Sequence, residues 1–535
     1  MSKGQLSTMT ELPTAEELAE YDFNDYGNAM RLIRLAGGQV QNGHVDTSNV
    51  RLLYLNGIGW VAYQGAYWDR EMGEHHAWRM AQDVGVKMQG LKNELIKRSA
   101  GAASDAPIQK FIDSCGSRSA CSAMLAMAIP HLMVKIEDFD REPMVLNCAN
   151  GTVWLEKDKT GKMVPRLRPH NPADRITRYI EVDFDEKARA DVFEKIIATA
   201  LPDADKRDFF HRAHGYSATG HVYEQAFFMC QGLGNDGKST ILSAMRKTLG
   251  GYGAAGDSKT FLDIGQQSSA AASPDLAELA GDIRLVVLSE AKRDVLLNEA
   301  LLKQWTGGEP VPARALHGKP FKFVAIGKLW WQFNGWPKAQ GNDDGIWRRL
   351  YPIVFEHQIA KKDVDPLMPT KLDAERQGIL NWIVRGIIAW AERGLDPPEC
   401  ILTARERYRK QSSPFLDWLD TRCVYGKAAA GEVTSAKRLL DDYKEWATNQ
   451  GHEKVMSATS FGRAMSERQI DPQKRNGNIY RSPIRLKTPD ELALDNAASG
   501  GEPDAYQPTS ASATSKGKLD FEGGSPFDDP DDAKW

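Results

Sequence analysis

Apolar residues along this chain recur in two rhythms, and a change of rhythm marks a change of element. Between about residues 186 and 400, short unbroken apolar runs alternate with stretches of helical period. The runs Gln225–Gln231, Arg284–Ser289, Lys328–Phe333 and Tyr351–Phe355 have the length and pattern of buried strands. Thr240–Leu249 is spaced as an amphipathic helix closed by Gly250 and Gly251. Residues 371–395 carry Ile379, Leu380, Trp382, Ile383, Ile387 and Trp390 on a helix stopped by Gly394 and Pro397-Pro398. With helices also predicted over roughly 186–220, this is an α/β pattern, assigned to residues 186–400.

The flanks read differently. Residues 1–20 are polar and loose, and 21–185 form a mixed α/β domain. Its helices are predicted at Gly27–Ala36, at His76–Lys97 and, after a Gly/Ala/Ser linker at 99–106, up to Met133. Its strands carry Trp60–Tyr63 and Tyr67-Trp68, and Met144–Asn147 pairs with Gly151–Leu155 around Ala149-Asn-Gly. Trp60 and Trp68 are read as core anchors ahead of base-stacking platforms. Beyond residue 400, a helix near 402–425 leads into helices Ser435–Asn449 and Ser457–Arg468, then a ribbon turning at Asn476-Gly477. Over 401–486 that outline is a winged helix. Lys474, Arg475 and Arg481 flank the wing, and Arg463 and Arg468 lie on the second helix. DNA is the expected partner, although small helix–hairpin domains also serve protein contacts. Residues 487–535 show no periodic apolar face and predict a disordered acidic tail. The tail ends in acid mixed with two phenylalanines and is read as a solvating segment ahead of a lure for replication proteins.

Charge sharpens the division. The whole chain of 535 residues carries −4, but 487–535 alone carries −7, leaving the first 486 residues at +3. A mildly basic body is compatible with a concentrated basic channel for nucleic acid. No run of eighteen apolar residues occurs and the start lacks the apolar core of a signal peptide, so no membrane role is expected. Six cysteines without C-x-x-C pairs predict reduced thiols and a cytoplasmic protein.

The strongest chemical signal is Gly232-Leu-Gly-Asn-Asp-Gly-Lys-Ser239, a complete G-x-x-x-x-G-K-[ST] loop between a predicted strand and a predicted helix. Glycines at 232, 234 and 237 let consecutive backbone N–H groups, with Asn235 and Asp236 between them, wrap an anionic phosphate. The helix start at Thr240 adds its positive end, Lys238 reaches the β/γ-phosphates, and the Ser239 hydroxyl ligates Mg²⁺. This predicts a site for ATP and Mg²⁺. Downstream, the strand Arg284–Ser289 ends at Glu290, the natural carboxylate for metal or for the attacking water. Such strands usually end in Asp-Glu, and Ser289 stands where the aspartate would. The strand Lys328–Phe333 ends at Asn334, an amide able to bond the γ-phosphate and the lytic water. Arg348 and Arg349 precede the last strand and supply a guanidinium for transition-state charge.

In that order these motifs resemble superfamily 3 DNA helicases of the poxvirus and satellite-phage type, the phage and plasmid primase-helicases. The resemblance runs from Gly215–Gly220 to Phe355, through Leu302–Glu309, Ala313-Arg314, Asn334 with Pro337, and Asp343–Arg349. Upstream, Asp25-Tyr-Gly-Asn-Ala29, Trp60…Gly65…Trp68 and Asn147…Asn150-Gly151 look like the helicase-associated domain of these proteins. The resemblance implies an AAA+-like P-loop motor preceded by that domain and followed by the winged helix, with no primase module expected. It implies Lys238 and Ser239 as Walker A, Glu290 as Walker B and a metal-site residue, Asn334 as sensor 1, and Arg349 as a finger acting in trans, with Arg348 the fallback. It also implies that Leu302–Phe323 forms a hairpin facing a ring channel. Arg314, Lys319 and Lys322, with His317 near the tip, would touch DNA phosphates there, as Lys474 and Arg475 would on the wing.

The expected activity is that of an ATP-driven, ring-forming replicative helicase on single-stranded and forked DNA, most simply a homo-hexamer of phage or plasmid origin. Two rivals stay open: an ATP-regulated origin-binding initiator that does not unwind, and another P-loop DNA motor such as a helicase loader.

Overall fold

A computed structural model of the chain describes residues 13–41, 44–99, 106–263, 273–291, 295–316, 318–339, 344–451 and 455–499. Contacts divide the chain into two compact units, one reaching from the start of the chain to Asp417 and one from Trp418 onward.

The first unit is organised by a parallel sheet of five strands: β1 (Phe227–Gly232), β2 (Gly253–Gly256), β3 (Leu285–Leu288), β4 (Lys328–Phe333) and β5 (Leu350–Phe355). Their spatial order is β2-β3-β4-β1-β5, every neighbouring pair parallel. Registers such as Phe228 opposite Trp330, and Gly232 opposite Phe355, align the carboxyl ends of β1, β4 and β5. Near-continuous apolar strands are what this geometry requires, because helices cover both faces. On one face lie α1 (Ala204–Ser217), α2 (Lys238–Leu249) and α3 (Arg376–Arg393), whose residues share a core with Phe228, Trp330 and Ile353. The other face, with Met229, Val286 and Trp331, packs against Trp305, Phe261 and Trp347. Helices α1 and α3 cross where Gly215 meets Gly386. A Cβ on Gly215 would lie 2.0 Å from the Gly386 carbonyl carbon, so only glycine permits the approach.

Residues 25–139 have a core of their own, in which Trp60 and Trp68 are 4% and 1% exposed, as anchors should be. Asn28, inside the Asp25–Ala29 motif, is 1% exposed and donates to the Cys115 thiol at 3.3 Å. Arg31 reaches the carbonyls of Leu18 and Asp22 at 2.9 Å each. These residues therefore pin the fold. The hairpin Val145–Cys148/Gly151–Lys157 gains a third strand, Met163–Arg168, and Leu146, Cys148 and Val153 pack into the core of the parallel sheet. Asn147 ties this hairpin down through the carbonyls of Ala66 and Arg178, at 2.9 Å each.

In the second unit, helices Ala436–Asn449 and Ala458–Glu467 precede an antiparallel ribbon, Asp471–Arg475 with Asn478–Ser482. Asn476 and Gly477 both take positive φ at the turn, +48° and +78°. Two expectations need correction. Arg481 is not a wing contact: it is buried and donates to the carbonyls of Gly462 and Ile470 and to the Ser466 hydroxyl. Nor is the tail irregular from its start, because Pro489–Ser499 is helical. Thr488 and Glu491 cap each other's backbone N–H groups, and Glu491 also pairs with Arg485 at 2.7 Å. Capping and ion pairs replace the apolar stripe that the sequence lacks. Residues 500–535, which hold the two phenylalanines of the acidic end, lie outside the described residues.

Candidate active site

In open α/β sheets ligands settle beyond the carboxyl ends of the strands. Here β1 runs into the loop 233–237, which takes positive φ at Gly234 (+90°), Asn235 (+56°) and Gly237 (+82°) before α2 begins at Lys238. The loop is laced to the segment after β5. The Ile359 N–H donates to the Asn235 carbonyl at 2.7 Å, and Asn235 Nδ2 donates to the Ile359 carbonyl at 2.8 Å.

Three strand ends then converge on Lys238. Its Nζ donates to Asn334 Oδ1 at 2.9 Å, from the residue just past β4, and to Asp236 Oδ2 at 2.9 Å, from the loop itself. Asn334 in turn donates its Nδ2 to Glu290, two residues past β3. Lys238, Asn334 and Glu290 thus form one hydrogen-bonded chain across the carboxyl edge of the sheet. Ser239, in the first turn of α2, donates to Gln332 Oε1 at 2.5 Å.

Gln332 escaped sequence reasoning, although its signal was visible: an amide inside the apolar run Leu329–Phe333 must find a polar partner. Ser289, in the place of the usual aspartate, accepts from the Ser258 N–H at 3.2 Å and so fastens the segment after β2. Beneath the loop, burial pushes the Cys230 thiol well up, keeping it protonated.

Lys238, Ser239, Glu290 and Asn334 face a cleft of about 370 Å³. Residues 234–240, Glu290 and Asn334 line it together with Ile196, Ile359, Val364 and Met368 and the carboxylates Asp363 and Asp365 on either side of Val364. Gly232, Gly234, Asn235, Asp236, Gly237, Ser239 and Thr240 all belong to the strand–loop–helix turn that borders it.

Other candidates lie elsewhere. Arg349 precedes β5 at the opposite, amino edge of the sheet. It is 9% exposed, and its Nη1 donates to the Gly345 carbonyl at 2.6 Å. Arg348 is exposed, with Gln225 Oε1 at 3.4 Å. Of the two, Arg348 is the more accessible and Arg349 the more closely held by its own fold. Pro310–Ala313 and Phe321–Val324 pair as an antiparallel hairpin. Arg314, Lys319 and Lys322 are exposed on it, about the exposed Leu316, while His317 lies outside the described residues. Lys474 and Arg475 are exposed on the ribbon of the second unit.

Comparison with known proteins bears on the same segments. The family described as D5 N terminal like matches residues 44–202. Over 286 residues the chain is 27% identical to "Putative helicase L207/L206" of Acanthamoeba polyphaga mimivirus, covering 50% of this chain and 29% of that protein. Over 243 residues it is 27% identical to "Putative helicase 022R" of Frog virus 3, covering 42% of this chain and 25% of that protein. The matched segments therefore span less than a third of either relative's length. Among solved structures, the apo C terminal region of NrS-1 aligns at a TM-score of 0.36 and 12% identity, over 62% of this chain and 81% of that one. A JCV helicase aligns at 0.24 and 13% identity, over 41% of this chain and 59% of that one.

Proposed function

Starting from a chain that resembles superfamily 3 helicases of the poxvirus and satellite-phage type, we propose that it is an ATP-dependent, ring-forming replicative DNA helicase of phage or plasmid type. The observation that carries this reading is the convergence of Lys238, Asn334 and Glu290 on one cleft, from a phosphate-binding loop and two strand ends.

Each group has a role that its position supports. The N–H groups of loop 234–237 and the start of α2 hold phosphate oxygens, and Lys238 neutralises their charge. The apolar side chains of Ile196, Ile359, Val364 and Met368 in the lining suit the face of a nucleobase, with Asp363 and Asp365 beside them as polar acceptors. The Ser239 hydroxyl and the Glu290 carboxylate are hard oxygen donors of the kind Mg²⁺ prefers, and these two residues would hold it. When bound, that ion offsets charge building on the phosphates. Glu290 orients the attacking water. Asn334 bonds both Lys238 and Glu290, so a change at the phosphates reaches the carboxylate through one amide.

In this reading the chain works as a P-loop motor assembled head to tail, most simply as a hexamer, with an exposed arginine, Arg348, completing a neighbour's site. The hairpin bearing Arg314, Lys319 and Lys322 contacts DNA phosphates, and the second unit, read as a winged helix, adds Lys474 and Arg475. Contacts of this kind give little sequence preference and strong salt dependence. The viral relatives named as helicases, and the D5 N terminal like match, support the choice of a helicase over an initiator or a loader.

Strand displacement on forked DNA, read beside native mass, tests the proposal. Unwinding by an oligomer, driven by ATP, is the expected result. Sequence-specific DNA binding without unwinding would replace the helicase reading with the initiator.

A further inference from the structure

The phosphate loop contains a carboxylate that bonds the loop's own donors. Asp236 is 2% exposed, buried inside the turn it belongs to. Its Oδ2 accepts from Lys238 Nζ at 2.9 Å and from the Gly234 N–H at 3.3 Å, while Oδ1 accepts from the Lys238 N–H at 3.2 Å. These are the donors of a phosphate cradle: two loop amides and the loop lysine. A second observation concerns space. A Cβ on Gly232 would lie 1.9 Å from Asp236 Oδ2, so the first glycine of the motif makes room for this carboxylate.

A phosphate chain entering the loop needs Lys238, and Asp236 already holds it. The two anions cannot share the lysine at close range without strong repulsion in a partly buried site. We propose that Asp236 is an internal competitor for phosphate, a latch whose carboxylate holds Lys238 and the loop amides until a phosphate chain displaces it. This rests on the nucleotide reading of the site given above. The latch lowers affinity for anything that carries phosphate and leaves the nucleobase contacts untouched. It also keeps the lysine bonded and the loop folded between successive nucleotides.

The test is equilibrium binding of ATP, ADP, pyrophosphate and adenosine to the full chain by calorimetry, comparing wild type with Asp236→Asn and Asp236→Ser. Both substitutions keep a polar side chain and remove the charge, and thermal melting checks that each variant folds. The expected result is tighter binding of the three phosphate-bearing ligands, by about tenfold, with adenosine unchanged. Equal or weaker binding of ATP and pyrophosphate by both folded variants would overturn the latch and leave the nucleotide site standing. A gain that extends to adenosine would also overturn it, since a general loosening of the cleft would then be the cause. If the folded wild type and both variants ignore ATP and pyrophosphate alike, the nucleotide reading fails and the latch with it.

Discussion

The two ends of the parallel sheet use the same side chains for opposite purposes. At the carboxyl end, Lys238 bonds side chains, those of Asp236 and Asn334, beside an open cleft. At the amino end, Lys328 is 3% exposed and gives its Nζ protons to the backbone carbonyls of Thr219, His221 and Ile326. Burial, with repulsion from Arg284, drives its pKa well below the ordinary lysine value. Arg284, at the same end, pairs with Asp282 at 2.8 Å and donates to the carbonyls of Val145 and Ala218 at 2.7 and 3.2 Å.

A cation ringed by carbonyls has partners that cannot leave, so it serves the fold. A cation held by side chains can exchange them for a ligand. Residue type does not separate these cases, but the kind of partner does.

Three substitutions would break or sharpen that contrast. The largest effect is expected from Arg348→Ala, which removes an exposed guanidinium at the amino end that bonds the Gln225 side chain and, among the described residues, sits in no carbonyl cage. If it acts on a neighbouring subunit, ATP turnover should fall by about 10³–10⁵-fold, as for arginine fingers in GTPases, while the melting temperature stays unchanged. Arg284→Ala should do the reverse. It strands Asp282 in the interior and should cost about 3–5 kcal/mol in urea unfolding, with turnover per folded molecule preserved.

A smaller effect is expected from pH. His214 is fully buried, stacked on Trp330 with ring centroids 3.7 Å apart, and burial pushes its pKa down to about 3. His211 shifts in the same direction, chiefly through burial. The unfolded chain takes up these protons below about pH 6.5, whereas the native His214 resists until about pH 3. Stability should therefore fall as pH drops through that window, by about 2 kcal/mol at pH 5 from His214 alone. Urea midpoints at pH 7 and pH 5 measure it, and His214→Leu should flatten the difference.

Much of this was legible in the letters. The apolar runs located β1, β3, β4 and β5 to within a residue or two, because strands buried on both faces leave a plain signature. β2 was not legible. Gly253-Ala-Ala-Gly256 has no strand preference of its own and is extended only because Leu285–Leu288 lies beside it. Met163–Arg168 is likewise a strand by pairing with Gly151–Lys157. The amino-end charge cluster was invisible for another reason. Asp282 and Arg284 are neighbours in sequence, but the carbonyls of Val145, Ala218 and Thr219 that complete the cluster come from distant segments. At the site, the spacing pointed to Lys238, Glu290 and Asn334 as a set, whereas the Asp236–Lys238 bond depends on positive φ at Asn235 and Gly237. The helix Pro489–Ser499 could have been anticipated from Thr488 and Glu491, the ends of a capping box.

The central claim is that the carboxyl end of the sheet is a working nucleotide site, and ATP hydrolysis by the full chain tests it most directly. Wild-type chain should hydrolyse ATP faster with single-stranded DNA than without. Lys238→Ala and Glu290→Gln should each lose about 10²-fold or more in turnover per folded molecule, and Lys238→Ala, which strands the buried Asp236, should also melt at a lower temperature. Turnover that survives in Lys238→Ala, or a folded wild-type chain with no turnover at all, would contradict the account.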